Sequence, residues 1–439
     1  MRDDVLTQNY KATSFWRDRS PPPVCEQSLP TRDIDVVVIG AGYSGLFTAL
    51  ALARGGRSVL VIEADSAGEH ASTKNFGAIG RTIRLSFSEL RDRYDLDTAV
   101  RVFEEAKEWV EFTASFIERE QLDCGFVRHG RAVSAHCAKA YESMTRELEF
   151  TKRYIPTDTH VLSRAEQGAE LGTDIYHGCA ILNDVGHLDP GRYHQGVLSL
   201  AREAGVRIVD QTRAIDVQRH DHGHTVLTSR GSVQAREVVI ATNAETGKDN
   251  SLFRYFRRRL VPVSLYSAVT EPLAPELLKS VFPKGRTMLE TRRLYMGLRP
   301  IESDGRLLAV GRHMRPYRSL DQAATALKKD LVSRYPQLEH CRFSHVWPGR
   351  FAATFDWLPH LGTHQGVHYL LGLNGAGVPA AGYLGHKLAQ RILGTPNRDT
   401  VFADRPYPTY PGYTGSAWFL PVLGGAYRYA DDREARRSK

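Results

Sequence analysis

The amino-acid sequence predicts an α/β protein in which two domains are interleaved along the chain, and three observations support this prediction. Residues 34–39 form a short β-branched run that leads through a glycine turn into a helical segment, as expected for a parallel β-α-β unit. Residues 367–393 repeat the order of strand, glycine turn and helix. Residues 260–315, which lie between these segments, contain one strand-like stretch after another. Because similar units occur at both ends, no single cut would separate the two domains.

The length and composition are those of a globular protein. The chain has 439 residues, of which 42% are hydrophobic and 25% are charged, enough for two or three domains of about 150 residues each. Its apolar runs are far shorter than the roughly 20 residues that cross a bilayer, and its polar N-terminus lacks a secretory signal. The five cysteines are scattered without a CxxC pair, which argues against a disulfide framework or a structural zinc site. We therefore expect a soluble, cytoplasmic protein with no bound metal.

The formal net charge of +8 does not by itself indicate nucleic-acid binding. Basic residues are interleaved with acidic ones over most of the length, and the densest cluster, Arg254 with residues 257–259, is short and precedes a strand-like run. A nucleic-acid-binding protein would be expected to gather its basic residues on one face. We instead expect the charge to lie on a solvated face or to attract an anionic small molecule.

The chain begins with an arm and a β-α-β unit. Residues 1–32 are predicted to be an arm, since the prolines at 21–23 cannot be helical and no apolar periodicity precedes them. A buried strand at 34–39 and a second strand at 58–63 enclose a helix at 46–53, which two glycines end.

The rest of the chain alternates helical and strand-like patterns. Residues 98–120 place apolar side chains at helical spacing, which predicts a long amphipathic helix. The later predicted helices span residues 139–154, 192–204, 319–334 and 380–393, and the later predicted strands span residues 206–209, 238–242, 260–270, 287–300, 306–311 and 367–371.

The glycine turn after the first strand predicts a dinucleotide site. Residues 40–45 form the pattern GxGxxG, in which Gly40 permits the tight turn, Gly42 lets the backbone approach a pyrophosphate and Gly45 lets helix and strand pack closely. The helix N-terminus would bind the phosphates. Glu63 ends the next strand, where it would accept hydrogen bonds from ribose hydroxyls and disfavour the 2′-phosphate of NADP. NAD and FAD share this pattern, so it leaves both open.

Three further segments distinguish between these two cofactors. Residues 71–78 are Ala-Ser-Thr-Lys-Asn-Phe-Gly-Ala, and Gly-His-Leu-Asp-Pro at 186–190 precedes Val-Val-Ile-Ala-Thr-Asn-Ala at 238–244. Residues 347–378 contain Trp-Pro-Gly-Arg and, later, Leu-Asn-Gly-Ala-Gly-Val. Together these segments resemble the FAD-dependent superfamily of D-amino-acid oxidase, glycine oxidase and sarcosine oxidase. The N-terminal arm and the tail at 418–432 are similar to its γ-glutamylputrescine oxidoreductase branch.

The resemblance implies a Rossmann-like FAD-binding domain interleaved with a β-sheet-rich substrate domain. On this basis the predicted organisation is an N-terminal arm at 1–32, an FAD-binding domain at 33–90, 180–250 and 345–400, a substrate or cap domain at 91–179 and 251–344, and a C-terminal tail at 401–439. The FAD contacts that it implies are Gly40, Gly42, Tyr43, Ser44, Gly45, Glu63, Ala64, Ser72, Thr73, Asn75, Gly77, Ala78, Ala214, Thr242, Asn243, Gly375, Gly377 and Val378. For Asn243 a helix cap is the alternative interpretation.

The activity implied by the resemblance is oxidation of the C–N bond of a small amine or amino acid. Hydride transfer to flavin N5 would give an imine, which water then hydrolyses, and oxygen or another acceptor would reoxidise the flavin. Arg299 is the predicted partner of a substrate carboxylate, and Tyr295 in the same segment is predicted to belong to the catalytic site with it. For Arg299 an exposed strand arginine is the alternative. Arg81 and Arg84 are spaced like an arginine pair of the sarcosine oxidases, and Arg81 is predicted to face the flavin.

Two departures from the family pattern matter for the chemistry. Ala376 stands where the branch often has histidine between the final glycines, so a role for that imidazole is absent. Gly349 and Arg350 occupy the region in which sarcosine oxidases carry a flavin-tethering cysteine, which predicts non-covalent FAD. Two alternatives stay open. One is an FAD-dependent tailoring enzyme or monooxygenase, although no second GxGxxG for NAD(P)H is present, and the other is a flavin-less binding protein.

Overall fold

In the computed structural model, which describes residues 4–248, 250–314 and 316–437, two large β-sheets and the helices packed on them form a mixed α/β fold, as predicted. The strands are β1 (Leu6–Lys11), β2 (Ile34–Ile39), β3 (Val59–Ile62), β4 (Ala78–Ile79), β5 (Arg131–Ser134), β6 (Thr159–Leu162), β7 (Cys179–Leu182), β8 (Gly186–His187), β9 (Arg207–Val209), β10 (Ala214–His220), β11 (Gly223–Thr228), β12 (Gly231–Ile240), β13 (Val261–Thr270), β14 (Thr287–Glu290), β15 (Met296–Ile301), β16 (Arg306–Gly311), β17 (Phe343–Ala353), β18 (His360–His364) and β19 (Val367–Leu371). The helices are α1 (Phe15–Arg19), α2 (Tyr43–Arg54), α3 (Ala71–Lys74), α4 (Phe87–Arg93), α5 (Leu96–Arg119), α6 (Ala138–Lys152), α7 (Gly168–Leu171), α8 (Pro190–Glu203), α9 (Ser251–Arg257), α10 (Pro275–Val281), α11 (Leu320–Arg334), α12 (Pro379–Leu393) and α13 (Leu420–Arg436).

The first sheet is built from both ends of the chain. Its strands follow the order β10-β11-β12-β2-β3-β9, with β19 beside β12 and β18 beside β19. The pairs β12–β2, β2–β3, β3–β9 and β12–β19 are parallel. Helices cover the sheet, so β2 is buried on both faces, as its β-branched run requires. Because these parallel strands end at one edge, a ligand site is expected there.

The second sheet has nine strands in the order β1-β17-β13-β16-β15-β14-β5-β7-β6. One face is covered by α11, whose Ala323, Leu327 and Leu331 pack with Met288 and Leu298 in a common core. Side chains on the opposite face share a cavity with the edge of the first sheet at which its parallel strands end. The space between the two sheets is therefore the natural position for a site.

The N-terminal segment is more structured than predicted. β1 is an edge strand that pairs in parallel with β17, and α1 buries Phe15 and Trp16, with Trp16 only 1% exposed. The partner strand lies more than 300 residues away in sequence, so no local pattern indicates the pairing. The prolines at 21–23 are outside helices, as predicted. The predicted domain boundaries stay predictions.

The long predicted helices are confirmed as α5, α6, α8, α11 and α12. The tail, for which no element was predicted, contains α13. Within the described part of the chain, no helix is both long enough and apolar enough to cross a membrane.

Candidate functional site

A cavity of about 410 Å³ lies between the two sheets. Part of its wall comes from the turn after β2 and from the ends of β3 and β12. The rest includes side chains on the second sheet, among them Val133, Leu265, Ser267 and Val310. Thus one cavity connects the predicted dinucleotide turn to the face of the β-rich sheet.

The glycine turn has the geometry that the sequence predicts. Gly40 has φ +111°, and a Cβ on it would lie 3.0 Å from the carbonyl oxygen of Ala241. A Cβ on Gly45 would lie 1.9 Å from the carbonyl oxygen of Gly40, so only glycine lets α2 begin so close to β2. Gly42 caps α2 with extended backbone, and the Ser72 hydroxyl accepts from the N–H of Tyr43 at 3.0 Å.

Glu63 lies directly after β3 and faces the cavity. Its carboxylate accepts hydrogen bonds from the N–H groups of Ala41, at 2.8 Å, and Asp65, at 3.1 Å. Burial raises the pKa of Glu63, although these two hydrogen bonds act in the opposite direction. Ala64 and Ala214 line the cavity as well.

The segment after Glu63 is held in place from several sides. Asn75 shapes its turn, since its amide donates to the carbonyl of Ser72 at 2.8 Å and its side-chain oxygen accepts from the N–H of Gly77. Trp16 donates to the Asn75 carbonyl at 3.0 Å and Trp347 to the Lys74 carbonyl at 3.1 Å. The N-terminal helix α1 therefore helps to fix this wall of the cavity.

The C-terminal turn lies between β19 and α12 and contains three residues with left-handed backbone, of which Gly372 has φ +73°. Asn374 has φ +52° and Gly375 has φ +87°. The guanidinium of Arg84 donates to the Asn374 carbonyl at 2.8 Å. The side-chain oxygen of Asn243 accepts from the N–H of Gly372 at 3.0 Å, so Asn243 ties the end of β12 to this turn and does not act as a helix cap.

The predicted FAD contacts come together in space. The cavity lining includes Gly40, Gly42, Tyr43, Ser44, Glu63, Ala64, Ser72, Asn75, Ala78, Ala214, Thr242, Asn243, Gly375, Gly377 and Val378. Gly45, Thr73 and Gly77 do not line it, because each packs against neighbouring protein. The Thr73 hydroxyl donates to the carbonyl of Gly68, and a Cβ on Gly77 would lie 2.2 Å from the carbonyl oxygen of Leu188.

Two predicted site arginines, Arg299 and Arg81, do not line the cavity. Arg299 is 4% exposed and donates to the carbonyls of Phe76 at 2.9 Å and Leu188 at 2.7 Å. Trp16 of α1 covers it, with the guanidinium 4.9 Å from the ring centre. A substrate carboxylate has no access there. Arg81 instead donates to Asp184 at 3.0 Å.

Four other arginines line the cavity, namely Arg84, Arg131, Arg213 and Arg350, and Tyr295 lines it as well. Arg84 lies 5.9 Å from the ring centre of Tyr295 and 5.6 Å from that of Phe351. Arg131 is the first residue of β5 and was not predicted to belong to the site. Its one sequence signal is that a basic residue stands at the start of a short strand-like run. Burial and the nearby charges of Arg81 and Arg84 lower the pKa of Arg131 to about 10, so it is charged at neutral pH.

Comparison with known proteins agrees with this geometry. The family model described as "DAO: FAD dependent oxidoreductase" matches residues 35–391. The chain is 28% identical over 400 residues to gamma-glutamylputrescine oxidoreductase of Escherichia coli, covering 91% of this chain and 93% of that protein. It is 22% identical over 341 residues to glycine oxidase of Geobacillus kaustophilus, covering 76% and 85%.

Solved structures share the fold. The crystal structure of that Geobacillus glycine oxidase superposes with a TM-score of 0.68 at 21% identity, covering 87% of this chain and 99% of the other. L-proline dehydrogenase from P. horikoshii superposes with a TM-score of 0.66 at 18% identity, covering 84% and 96%.

Proposed function

The chain belongs to the family of FAD-dependent oxidoreductases, and from this premise we propose that it oxidises the C–N bond of a small amine or amino acid to an imine. The observation that supports this proposal most directly is the single cavity, which joins a dinucleotide turn to a chamber roofed by the second sheet. The names of its relatives, gamma-glutamylputrescine oxidoreductase and glycine oxidase, point to the same substrate class.

The residues that line the cavity fit FAD. Gly42 and the N-terminus of the twelve-residue helix α2 would receive the pyrophosphate, and Glu63 would accept from ribose hydroxyls. A Cβ on Gly377 would meet no heavy atom within 4 Å, so the backbone there borders open cavity. Gly375, Gly377 and the start of α12 would face the pyrimidine edge of the flavin, where N–H groups stabilise negative charge.

FAD, when bound, supplies the two-electron acceptor for a hydride that leaves the carbon attached to the amine nitrogen. The protein has to position that carbon, exclude water and favour the neutral amine. Leu265, Val310 and Phe351 provide an apolar wall. The cations Arg84 and Arg131 disfavour a substrate ammonium, because like charges in a buried site lower its pKa. The nitrogen loses its proton to solvent, and water hydrolyses the imine.

Anaerobic titration with amines and with D- and L-amino acids tests the reaction class. We expect at least one compound of the panel to bleach the flavin absorbance at ~450 nm fully at one equivalent, since the reaction transfers two electrons. Admission of air afterwards shows whether oxygen reoxidises the flavin. If NAD(P)H bleaches the flavin and no amine does, the protein is a monooxygenase or tailoring enzyme and the proposed function is wrong.

The flavin is expected to be bound without a covalent link. The thiols of the five cysteines are buried and none of these residues lines the cavity. His70 does line it, but its imidazole contacts Asp65 at 2.8 Å, close to Glu63, on the side assigned to the ribose. Acid precipitation should therefore leave all the yellow colour in the supernatant. Colour retained in the pellet, followed by a flavin-bearing peptide in mass spectrometry, would contradict this expectation.

A further inference from the structure

Three side chains of metal-ligating type meet at a point outside the cavity. His136 and Cys137 stand between β5 and α6, and Glu434 lies in the last turn of α13. Their ligand atoms, an imidazole nitrogen, a thiol sulfur and a carboxylate oxygen, all lie within 4.8 Å of one another. None of the three residues lines the cavity between the sheets. The cluster is therefore separate from the proposed cofactor site.

The imidazole of His136 is fixed at one nitrogen and unpaired at the other. Its Nδ1 lies 2.8 Å from the hydroxyl of Thr291, which also accepts from the backbone N–H of His136 at 3.1 Å. Its Nε2 has no hydrogen-bond partner among the described residues, although the side chain is only 3% exposed. Burial lowers the pKa of His136, so the ring is neutral at neutral pH. An imidazole held through Nδ1 in this way is oriented to coordinate a metal through Nε2.

The spacing of the ligand atoms is close to that of a tetrahedral site. Nε2 of His136 lies 3.5 Å from Oε2 of Glu434, which is too long for a good hydrogen bond. Two ligands on one zinc ion are about 3.3–3.6 Å apart, as its bond lengths require. The sulfur of Cys137 would therefore have to move by about 1 Å at most, which a small side-chain rotation provides.

The two remaining ligands are also held in place. Cys137 is the N-cap of the fifteen-residue helix α6, and its Sγ accepts from the N–H of Ala140 at 3.4 Å. The positive end of a helix favours the thiolate, which is the form of cysteine that binds metals. The carboxylate of Glu434 accepts from both Nη atoms of Arg293, each at 3.0 Å, and this pairing lowers its pKa. Both side chains are thus oriented before a metal binds.

The fixed charges beside the cluster cancel. Ion pairs link three guanidiniums to three carboxylates, namely Arg292, Arg293 and Arg334 to Glu290, Asp431 and Glu434. Lys139 is exposed, so solvent screens its charge. The thiolate of Cys137 would add one negative charge, so a divalent cation would not enter a site of net positive charge.

We propose that His136, Cys137 and Glu434 bind one divalent transition-metal ion, and that Zn²⁺ is the ion their donor set fits. Imidazole nitrogen, thiolate sulfur and carboxylate oxygen are the donors of zinc sites, and three of them leave a fourth tetrahedral position for water. The thiol releases its proton to solvent when the metal binds, and no electrons are transferred. The expectation of no bound metal rested on cysteine spacing, whereas Glu434 joins this cluster from the other end of the chain.

The metal would fasten the C-terminal helix to the β-rich sheet. α13 begins at Leu420, which packs in one core with Tyr413, Met314 and Phe351, and Phe351 lines the cavity. Because the ligands come from the start of α6 and the end of α13, one ion would join both segments, and metal binding would stabilise the fold. This role does not depend on the proposed amine oxidation.

Metal analysis and titration test the proposal on the FAD-loaded, full-length protein. A chelator removes bound metal, and the metal-free protein is then titrated with Zn²⁺, with elemental analysis giving the metal bound per chain. We expect one equivalent to bind, and Tm to rise by about 3 °C when free Zn²⁺ is about 100 times its Kd. Co²⁺ should add the visible bands of a four-coordinate cobalt ion to the spectrum of the metal-free flavoprotein. Failure to bind one equivalent at about 10 μM free Zn²⁺ overturns the proposal.

Variants assign the metal to the cluster. Cys137→Ser keeps a side-chain acceptor for the N–H of Ala140, and so keeps the helix cap, but removes the sulfur ligand. Glu434→Gln keeps the shape of a side chain that is 25% exposed. Each should weaken Zn²⁺ binding by at least about 100-fold, and Thr291→Val, which removes the partner of Nδ1, by about tenfold. Cys25→Ser changes a buried cysteine outside the cluster, and as the matched control it should bind Zn²⁺ like the unchanged protein.

The dependence of Tm on metal separates coordination from packing. Zn²⁺ should raise the Tm of Cys25→Ser and leave that of Cys137→Ser unchanged. If Cys137→Ser and Glu434→Gln still bind one Zn²⁺ with unchanged affinity, the ion lies elsewhere and the proposal is wrong. These readouts do not require an amine to bleach the flavin, so failure of the metal site and failure of the proposed function are seen in different measurements.

Discussion

Gly45→Ala is expected to give a protein that purifies almost without FAD. The added Cβ would lie 1.9 Å from the carbonyl oxygen of Gly40 and 3.2 Å from Val38. The first of these neighbours is backbone, which cannot rotate away, so α2 has to move off β2. Overpacking of this kind costs about 3 kcal/mol, and the turn that receives the pyrophosphate widens. We expect the affinity for FAD to fall by a factor of roughly 100.

The measurement is flavin absorbance per polypeptide after purification, followed by titration of the apoprotein with FAD. Gly425→Ala is the matched control: Gly425 is also helical, and a Cβ there would meet nothing within 4 Å. That variant should keep its FAD and gain up to about 1 kcal/mol of stability from the better helix propensity of alanine. Full FAD occupancy and unchanged affinity in Gly45→Ala would show that the turn does not form the cofactor site.

The dinucleotide turn could be predicted because its signal is local. Gly40, Gly42 and Gly45 lie within six residues, and the strand and helix that flank them have their own patterns. A side chain on Gly45 would collide with Gly40, a near neighbour in sequence, and one on Gly40 would crowd Ala241 at the end of the adjacent strand. The same holds for Glu63, whose position follows from the length of the β-α-β unit.

The substrate chamber could not be predicted in the same way, because it depends on contacts between distant segments. Alternation along β15 places Arg299 on the correct face of the second sheet, but whether that face is open depends on α1. The N-terminal segment that forms α1 has no periodic pattern, and Trp16 reaches the sheet only because β1 pairs with β17. Likewise, the sequence does not indicate that the guanidinium of Arg131 is buried, because this burial depends on packing against Gly80, which lies in a distant segment of the chain.

The position of Arg299 leads to a prediction opposite to the one its sequence context suggests. Its guanidinium joins the carbonyl of Phe76, next to the turn at Asn75, to that of Leu188. Burial lowers the pKa of Arg299 to about 9, so it remains charged at neutral pH and both hydrogen bonds are charge-assisted. Arg299 is thus a positioning residue for one wall of the cavity.

Arg299→Met should therefore destabilise the protein and loosen FAD without altering the choice of substrate. Two buried carbonyls lose their donor, which costs roughly 2–4 kcal/mol in the free energy of unfolding. The mobile wall should also weaken FAD binding by about tenfold. Chemical denaturation and FAD titration measure the two effects, and Arg299→Lys should restore part of each because the ammonium still donates. The relative extent to which the amines and amino acids of the panel bleach the flavin should stay as in the unchanged protein. If Arg299→Met instead leaves the free energy of unfolding and the affinity for FAD intact and changes which compounds bleach the flavin, Arg299 contacts the substrate and is not a positioning residue for this wall.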